Sequence, residues 1–330
     1  MNNTFGNILR MTIFGASHSE ELGIMLDGLP SGIRLCAEDF DNDLERRRPQ
    51  SKGETPRHEA DVPIIEGLDA EGLTTGGRVT IKFRNENRKS GDYSHLRLHP
   101  RPSHADLTQR VKYGEEYNLA GGGIASGRMT VALVAAGVVA KKLLEGYSFK
   151  TELVSVGGVA DSSDFERVIA EARAAGDSVG GVVECRVSGV ERGLGEPFFD
   201  SIESVASHLL FSIPGVKGVE FGDGFEGAKR RGSERNDMII SDNGKTLTNN
   251  EGGINGGIAN GNDIVVRVAI KPTPSIAKMQ QTFNFESNTI AKLHIGGRHD
   301  ACIARRAMVV VEAMMAFALA DLRLQHNGNS

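Results

Sequence analysis

The sequence predicts an α+β chain, with long apolar helices covered by sheets in a single domain spanning residues 1–330. Three observations carry that expectation. Two long helical segments, about 126–144 and 303–325, leave almost no polar face and must be buried. Several short segments alternate strictly between apolar and polar residues, the mark of strands covered on one side. No proline- or serine-rich linker divides the chain.

The elements follow in order. Residues 37–48 read as a short helix, with Glu38, Asp39, Asp41 and Asp43 first and Arg46, Arg47 and Arg48 last. That order complements the helix dipole, and Pro49 stops the helix. In 78–84, Val79, Ile81 and Phe83 share one face, and Thr80 and Lys82 the other. Gly121-Gly122-Gly123 precedes the first apolar helix, so the backbone N–H groups there form a candidate anion site. Ser163 and Glu166 make a capping-box pattern for a helix ending near Gly176. A strand follows, with Val183, Cys185 and Val187 opposed to Glu184, Arg186 and Ser188. Residues 201–211 form another helix, ended by Pro214 and Gly215. Residues 263–271 form a strand whose Ile264, Val266, Val268 and Ile270 face a core. It runs into a stiff loop, Lys271-Pro272-Thr273-Pro274-Ser275. The methionines of the last helix read as core filler. Two glycine-rich segments, 121–127 and 252–261, resemble each other loosely.

Composition narrows the function. Apolar residues make up 39% and charged residues 25%, as in an ordinary globular protein. The net charge of −5 argues against nucleic acid as a partner, although Arg46 to Lys52 and Lys229-Arg230-Arg231 are basic enough to pose that reading. The three cysteines are scattered, with no CxxC spacing, so neither a disulfide framework nor a metal site is expected. No signal sequence and no membrane-spanning stretch is evident, and a cytoplasmic location is expected.

Three basic, glycine- or proline-flanked segments carry the chemistry: Phe14 to His18, Arg101 to Asp106, and Gly296 to Cys302. His18 and His104 are candidate acid–base groups, because imidazole titrates near neutral pH. Arg47, Lys52, Arg101, Lys271 and Arg298 are candidate ligands for phosphate or carboxylates. Asp300, set among cations, is a candidate base. There is no phosphate-binding loop of the GxxxxGK type, no dinucleotide fingerprint, no GxSxG elbow and no HExxH motif.

Taken together these segments resemble the chorismate synthase family. The matching stretches run from Phe5-Gly6-Asn7 to the last helix. They include Asp43 to Pro49, Lys112-Tyr113-Gly114, Val216 to Glu220, Gly222 to Phe225, Gly252 to Ile258, Lys271-Pro272-Thr273 and Gly297 to Asp300. The resemblance implies a β-α-β sandwich with long buried helices between antiparallel sheets. It also implies a lyase of the shikimate pathway for aromatic amino acids, which converts 5-enolpyruvylshikimate 3-phosphate to chorismate by anti-1,4-elimination of phosphate. That activity depends on reduced FMN, with NADPH as a possible external source of reducing equivalents, in a homotetramer.

By the same resemblance His18, His104 and Asp300 are catalytic, Asp300 taking part in removal of the C6 proton with flavin N5. Ser17, Arg47, Lys52, Arg101 and Arg298 bind substrate. Ala125, Ser126, Gly257, Lys271, Pro272, Thr273, Pro274, Ser275 and Arg298 line the flavin. The chain departs from the family pattern at Ala16, at Ile124-Ala125, at Pro214-Gly215, and at Lys52, where an arginine is usual. The loss of a cation and a hydroxyl at Ile124 and Ala125 motivates a second reading, a homologue that binds flavin or substrate with little turnover.

Overall fold

The computed structural model describes residues 3–49, 59–86, 96–114, 117–296 and 299–328. The chain begins with three antiparallel strands, β1 (Thr4–Phe5), β2 (Arg10–Phe14) and β3 (Glu21–Asp27). A 3-10 turn, Ala37–Phe40, then leads into α1 (Asp41–Arg47). The helix carries its acids first and its arginines last, as charge–dipole reasoning expects. β4 (Ile64–Glu66) and β5 (Val79–Arg84) complete a sheet of order β1-β2-β3-β5-β4. Ile24 pairs with Ile81 in its centre, and Val79, Ile81 and Phe83 are fully buried on the face the alternation assigns to the core.

After α2 (Asp106–Tyr113) comes α3 (Thr130–Lys142), in which every residue from Val131 to Ala140 is buried. The second sheet is built from β6 (Ser148–Val156), β7 (Gly181–Ser188), β8 (Val216–Phe221) and a later strand. α4 (Phe165–Ala174) connects β6 to β7, and α5 (Ile202–Ser212) precedes β8. Two single-turn helices follow, α6 (Gly224–Gly227) and α7 (Gly232–Arg235), and then the small hairpin of β9 (Ile254–Asn255) and β10 (Ile258–Ala259). β11 (Ile264–Ile270) enters the second sheet between β7 and β8, all pairs antiparallel. A hairpin of β12 (Gln280–Asn284) and β13 (Thr289–Leu293) precedes the last helix, α8 (Ala304–Gly328).

α3 packs beneath β3 and β5, while α8 packs beneath β6 and β7 and against α3 and α5. The two apolar helices therefore lie between the sheets, which is why neither keeps a polar face. The arrangement is the α+β sandwich expected. The helices meet closely at Gly137, where an added Cβ would stand 2.3 Å from Ala313 Cβ. Only a hydrogen side chain allows that approach.

Two carboxylates of α8 are buried with dedicated partners. Glu312 takes both arms of Arg46, at 2.9 and 2.6 Å, together with Lys141 at 2.5 Å and Thr151 at 2.7 Å. Asp321 accepts the backbone N–H groups of Asn7, Ile8 and Leu9 at 2.8–2.9 Å.

Two expectations change. The helix cap before α4 is Asp161, which accepts from both the N–H and the hydroxyl of Ser163, so Ser163 and Glu166 do not form the capping box. The two glycine-rich segments also differ, the first forming a 3-10 turn and the second the β9–β10 hairpin.

Candidate functional site

The triple glycine is the centre of the site. Gly121, Gly122 and Gly123 all adopt positive φ, at 62°, 89° and 57°, a run that side-chain-bearing residues would resist. The resulting turn presses against both candidate histidines. A Cβ on Gly121 would stand 2.6 Å from His18 Nε2 and 2.7 Å from Ser17 Oγ. A Cβ on Gly122 would stand 3.4 Å from His104 Cε1 and 3.7 Å from its Nε2. The turn is held from two sides: Ser17 N–H donates to Gly123 O at 3.1 Å, and Gln109 Nε2 donates to Gly122 O at 3.1 Å. Ser126 lies against Gly122 and accepts the N–H of Arg128 with its hydroxyl. Ala125 ends the turn. A second 3-10 turn, Gly127–Met129, separates these glycines from the first residue of α3, Thr130.

His104 is oriented from behind. Its Nδ1 lies 2.7 Å from Asp106 Oδ1, and Asp106 opens α2, almost wholly buried. Arg101 grips the same carboxylate, with Nε at 2.8 Å from Oδ2 and Nη2 at 2.7 Å from Oδ1. Burial pushes the Asp106 carboxyl up, but the hydrogen bonds from Arg101 and His104 outweigh it and hold the group well below the usual carboxylate range. An anionic Asp106 accepts the Nδ1–H of His104. Arg101 Nη2 also approaches that nitrogen, at 3.1 Å. A protonated Nδ1 cannot accept from Arg101, and the shorter approach to a charged acceptor decides for Asp106. His104 Nε2 is then the atom presented to Gly122.

The proline loop after β11 joins from the second sheet. Arg101 Nη1 donates to Ser275 Oγ at 3.0 Å, and Lys271 Nζ donates to Ser103 O at 2.7 Å. Burial and the neighbouring Lys217 both push the Lys271 ammonium down. Ser178 Oγ donates to Thr273 O at 2.7 Å, and Gln280 Nε2 reaches Pro274 O at 3.4 Å, fixing the loop backbone. Pro272 packs over Gly180.

Asp300 belongs to the same field. Its neighbour His299 is pushed down by burial first, and by the charges of Arg101 and His104, against the opposite pull of Asp300. The charges of the 101–106 loop therefore reach the 299–300 segment. Asp300 is buried and accepts from Arg306 Nη1 at 2.8 Å. Arg306 Nε donates to Arg47 O at 2.9 Å.

Arg47 itself is placed differently from a ligand that reaches into open space. It is 4% exposed. Its Nε donates to Thr130 Oγ1, its Nη2 to the carbonyls of Gly127 and Arg128, and its Nη1 approaches Asp61. A Cβ on Gly257 would meet Glu196 O and Ser201, the cap of α5, both at 2.6 Å. Lys52 and Arg298 lie outside the described residues.

Sequence reasoning passed over the supporting groups. Asp61 ion-pairs with Arg128, whose Nε donates to Asn85 Oδ1 at 3.0 Å. Asn85 Nδ2 in turn donates to the carbonyls of Ala16 and Ser19, flanking His18. In the sequence Asp106 is only the end of the Arg101–Asp106 segment, and its hold on His104 emerges from the fold. Asp61 and Asn85 carry no local signal. Among the described residues no group of His, Cys, Asp and Glu is arranged to hold a metal ion, and no helix is long and apolar enough to cross a membrane.

Comparisons with known proteins point to one family. The family model for chorismate synthase matches residues 9–324. A chorismate synthase of Chitinophaga pinensis is 51% identical over 98% of this chain and 96% of its own. One of Archaeoglobus fulgidus is 44% identical over 98% of this chain and 97% of its own. A chorismate synthase crystal structure superposes with a TM-score of 0.76 at 28% identity, covering 98% of this chain and 94% of the other.

Proposed function

The chain belongs to the chorismate synthase family, and from that premise we propose how its own residues share out the reaction. The activity is that of a carbon–oxygen lyase on a phosphorylated substrate, 5-enolpyruvylshikimate 3-phosphate, giving chorismate and phosphate. The hydrogen at C6 and the phosphate at C3 leave from opposite faces, and no net oxidation occurs.

His18 and His104 act as acid groups, one toward the leaving phosphate and one toward the flavin. Asp106 fixes His104 so that Nε2 holds or gives the proton. Asp300 takes part in removing the C6 proton. The substrate brings two carboxylates and a phosphate, so it needs several cations. Arg47, Lys52, Arg101 and Arg298 serve that need, together with Ser17. Arg47 and Arg101 are both buried with their nitrogens hydrogen-bonded inside the protein, so in this arrangement they act through their charge.

Reduced FMN fits the donor set. Lys271, Ser275 and Ser126 reach the segments that carry His104, and a cation with hydroxyls suits a phosphorylated polyol chain. Pro272, Thr273 and Pro274 continue the same loop, and Arg298 is assigned to the flavin with them. Ala125 offers its backbone alone. Gly257 is assigned to the flavin as well, in a homotetramer. When bound, the reduced flavin supplies an electron transiently to the substrate. NADPH, used by a separate reductase, would maintain the reduced state. The chain works in the cytoplasm. It is read as one domain over 1–330, supported by the large apolar core that both sheets share with the helices.

The observation that carries the assignment of roles is the shared contact of His18 and His104 with one glycine turn. An anaerobic assay with purified chain, reduced FMN and substrate tests it. Chorismate should form at rates ordinary for an enzyme, of order 1–10³ per second. Flavin binding without chorismate would favour the low-turnover reading instead.

A further inference from the structure

We propose that Arg306 is a positioning residue for the elimination. It fixes the Asp300 carboxylate against the end of α1 and supplies the opposite charge that a proton-removing carboxylate needs. The inference rests on the reading of Asp300 as the group that helps to take the C6 proton.

Arg306 lies in the first turn of α8, and Asp300 lies just before that helix. One guanidinium serves two acceptors from different parts of the chain, Nη1 to Asp300 Oδ2 at 2.8 Å and Nε to Arg47 O at 2.9 Å. The fork is planar and rigid, so gripping the Arg47 carbonyl fixes where Nη1 points. α1 is a firm reference, because Glu312 of α8 holds Arg46 with two hydrogen bonds. Arg47 in turn donates to Thr130 Oγ1 at the start of α3 and to the carbonyls of Gly127 and Arg128. Asp300 is thus referenced, through Arg306 and Arg47, to the same stretch of chain that follows the glycine turn.

The neighbouring arginine does not share the task. Arg305 pairs with Glu166 on α4. Charged and titratable groups near Asp300 include its neighbours His299 and Cys302, with Arg101 and His104 acting on His299 and Arg305 on Cys302. Arg306 forms an ion pair with the Asp300 carboxylate at 2.8 Å. A buried ion pair contributes little net stability after desolvation, so its worth here lies in geometry and charge at the reacting centre. In the reaction the C6–H electron pair enters the ring as the diene forms. The proton passes toward the carboxylate, and the C3–O bond breaks with its pair leaving on phosphate.

The test compares wild type, R306K, R306Q and D300N with reduced FMN, using ordinary and C6-deuterated substrate across a range of pH. R306Q should lower kcat about 100-fold, on the scale of a lost acid–base contribution. The acidic limb of its kcat profile should differ from that of wild type, because the ion pair to Asp300 is lost. The deuterium isotope effect should rise, while the FMN dissociation constant stays within about two-fold, since Arg306 is not among the flavin-lining groups. R306K keeps the charge but cannot serve both acceptors, so its limb should stay in place while kcat falls about ten-fold. An R306Q enzyme whose rate falls with limb and isotope effect unmoved would show mere structural support and overturn the inference. Should R306Q not fold, an unchanged isotope effect in R306K does the same. Near-wild-type activity in D300N would sink the underlying assignment of Asp300, whatever Arg306 does.

Discussion

His104 Nδ1 stands 2.7 Å from Asp106 Oδ1, and the same carboxylate is gripped by two nitrogens of Arg101. This makes Asp106 the hinge of the site. Replacement by Asn would offer an N–H or a neutral carbonyl to His104 and leave Arg101 buried without its counter-charge. Asp106→Asn should lower kcat by about 10²–10⁴ and cost about 3–5 kcal/mol of stability. Steady-state kinetics and denaturant unfolding on one preparation check both, and a variant with ordinary turnover would remove Asp106 from the machinery.

The glycine turn makes a second prediction. Gly121 sits at φ 62°, and a methyl there would stand 2.6 Å from His18 Nε2. Gly121→Ala should displace the imidazole and cut kcat at least ~10-fold, with a backbone cost of about 1–2 kcal/mol. Gly232→Ala, on an exposed helical turn with open space around it, is the control. It should keep full activity and gain up to about 1 kcal/mol.

The pH dependence of stability should report Glu312. Burial pushes this carboxyl up, but Arg46 and Lys141 bring it down to about 2. A carboxyl depressed in the folded state stabilises the fold above its unfolded value, roughly 4.3. That contribution is lost as pH falls from there through about 2. Glu312→Gln should therefore flatten the stability curve between roughly pH 4.5 and 2. At neutral pH it should be less stable by about 3–5 kcal/mol, with Arg46 and Lys141 left uncompensated. Urea midpoints measured across that range decide the matter, and an equally steep loss in both proteins would exclude Glu312 as the source.

The contact between the central helices can be tested by exchange. A Cβ at Gly137 would fall 2.3 Å from Ala313 Cβ and 2.4 Å from its Cα. Gly137→Ala should cost at least about 1–3 kcal/mol, because the helices must separate. Adding Ala313→Gly should recover part of that loss. Simple addition of the two single effects in thermal unfolding would show that the residues do not meet.

Much of the architecture was legible in the sequence, where local pattern and tertiary burial agree. The alternation at Val79, Ile81 and Phe83 and at Ile264, Val266 and Val268 marks strands whose apolar faces are indeed buried. The nearly featureless apolar surface of Val131 to Ala140 has its cause in two partners, a sheet on one side and α8 on the other. β6 was missed although its burial alternates from Ser148 to Leu153; the alternation ends there, where a register shift interrupts its pairing with β7 between Leu153 and Ser155. At the site, His18, His104 and Asp300 stand out by residue type and by resemblance, since local context alone does not separate a functional histidine from a structural one. The fate of Arg47 could not be read in this way, since its partners Asp61 and Thr130 become neighbours only on folding. The same holds for Asn85, whose tie to the His18 loop spans 66 to 69 positions of sequence.

The Asp321 carboxylate receives the N–H groups of Asn7, Ile8 and Leu9, more than 300 positions earlier in the chain. A ribosome releases those first residues long before it has assembled the last helix. The N–H groups of residues 7–9 must therefore wait for α8 before this tie forms, although β1 already pairs with β2. The fastening is among the longest-range contacts of the fold, and removing α8 would undo it.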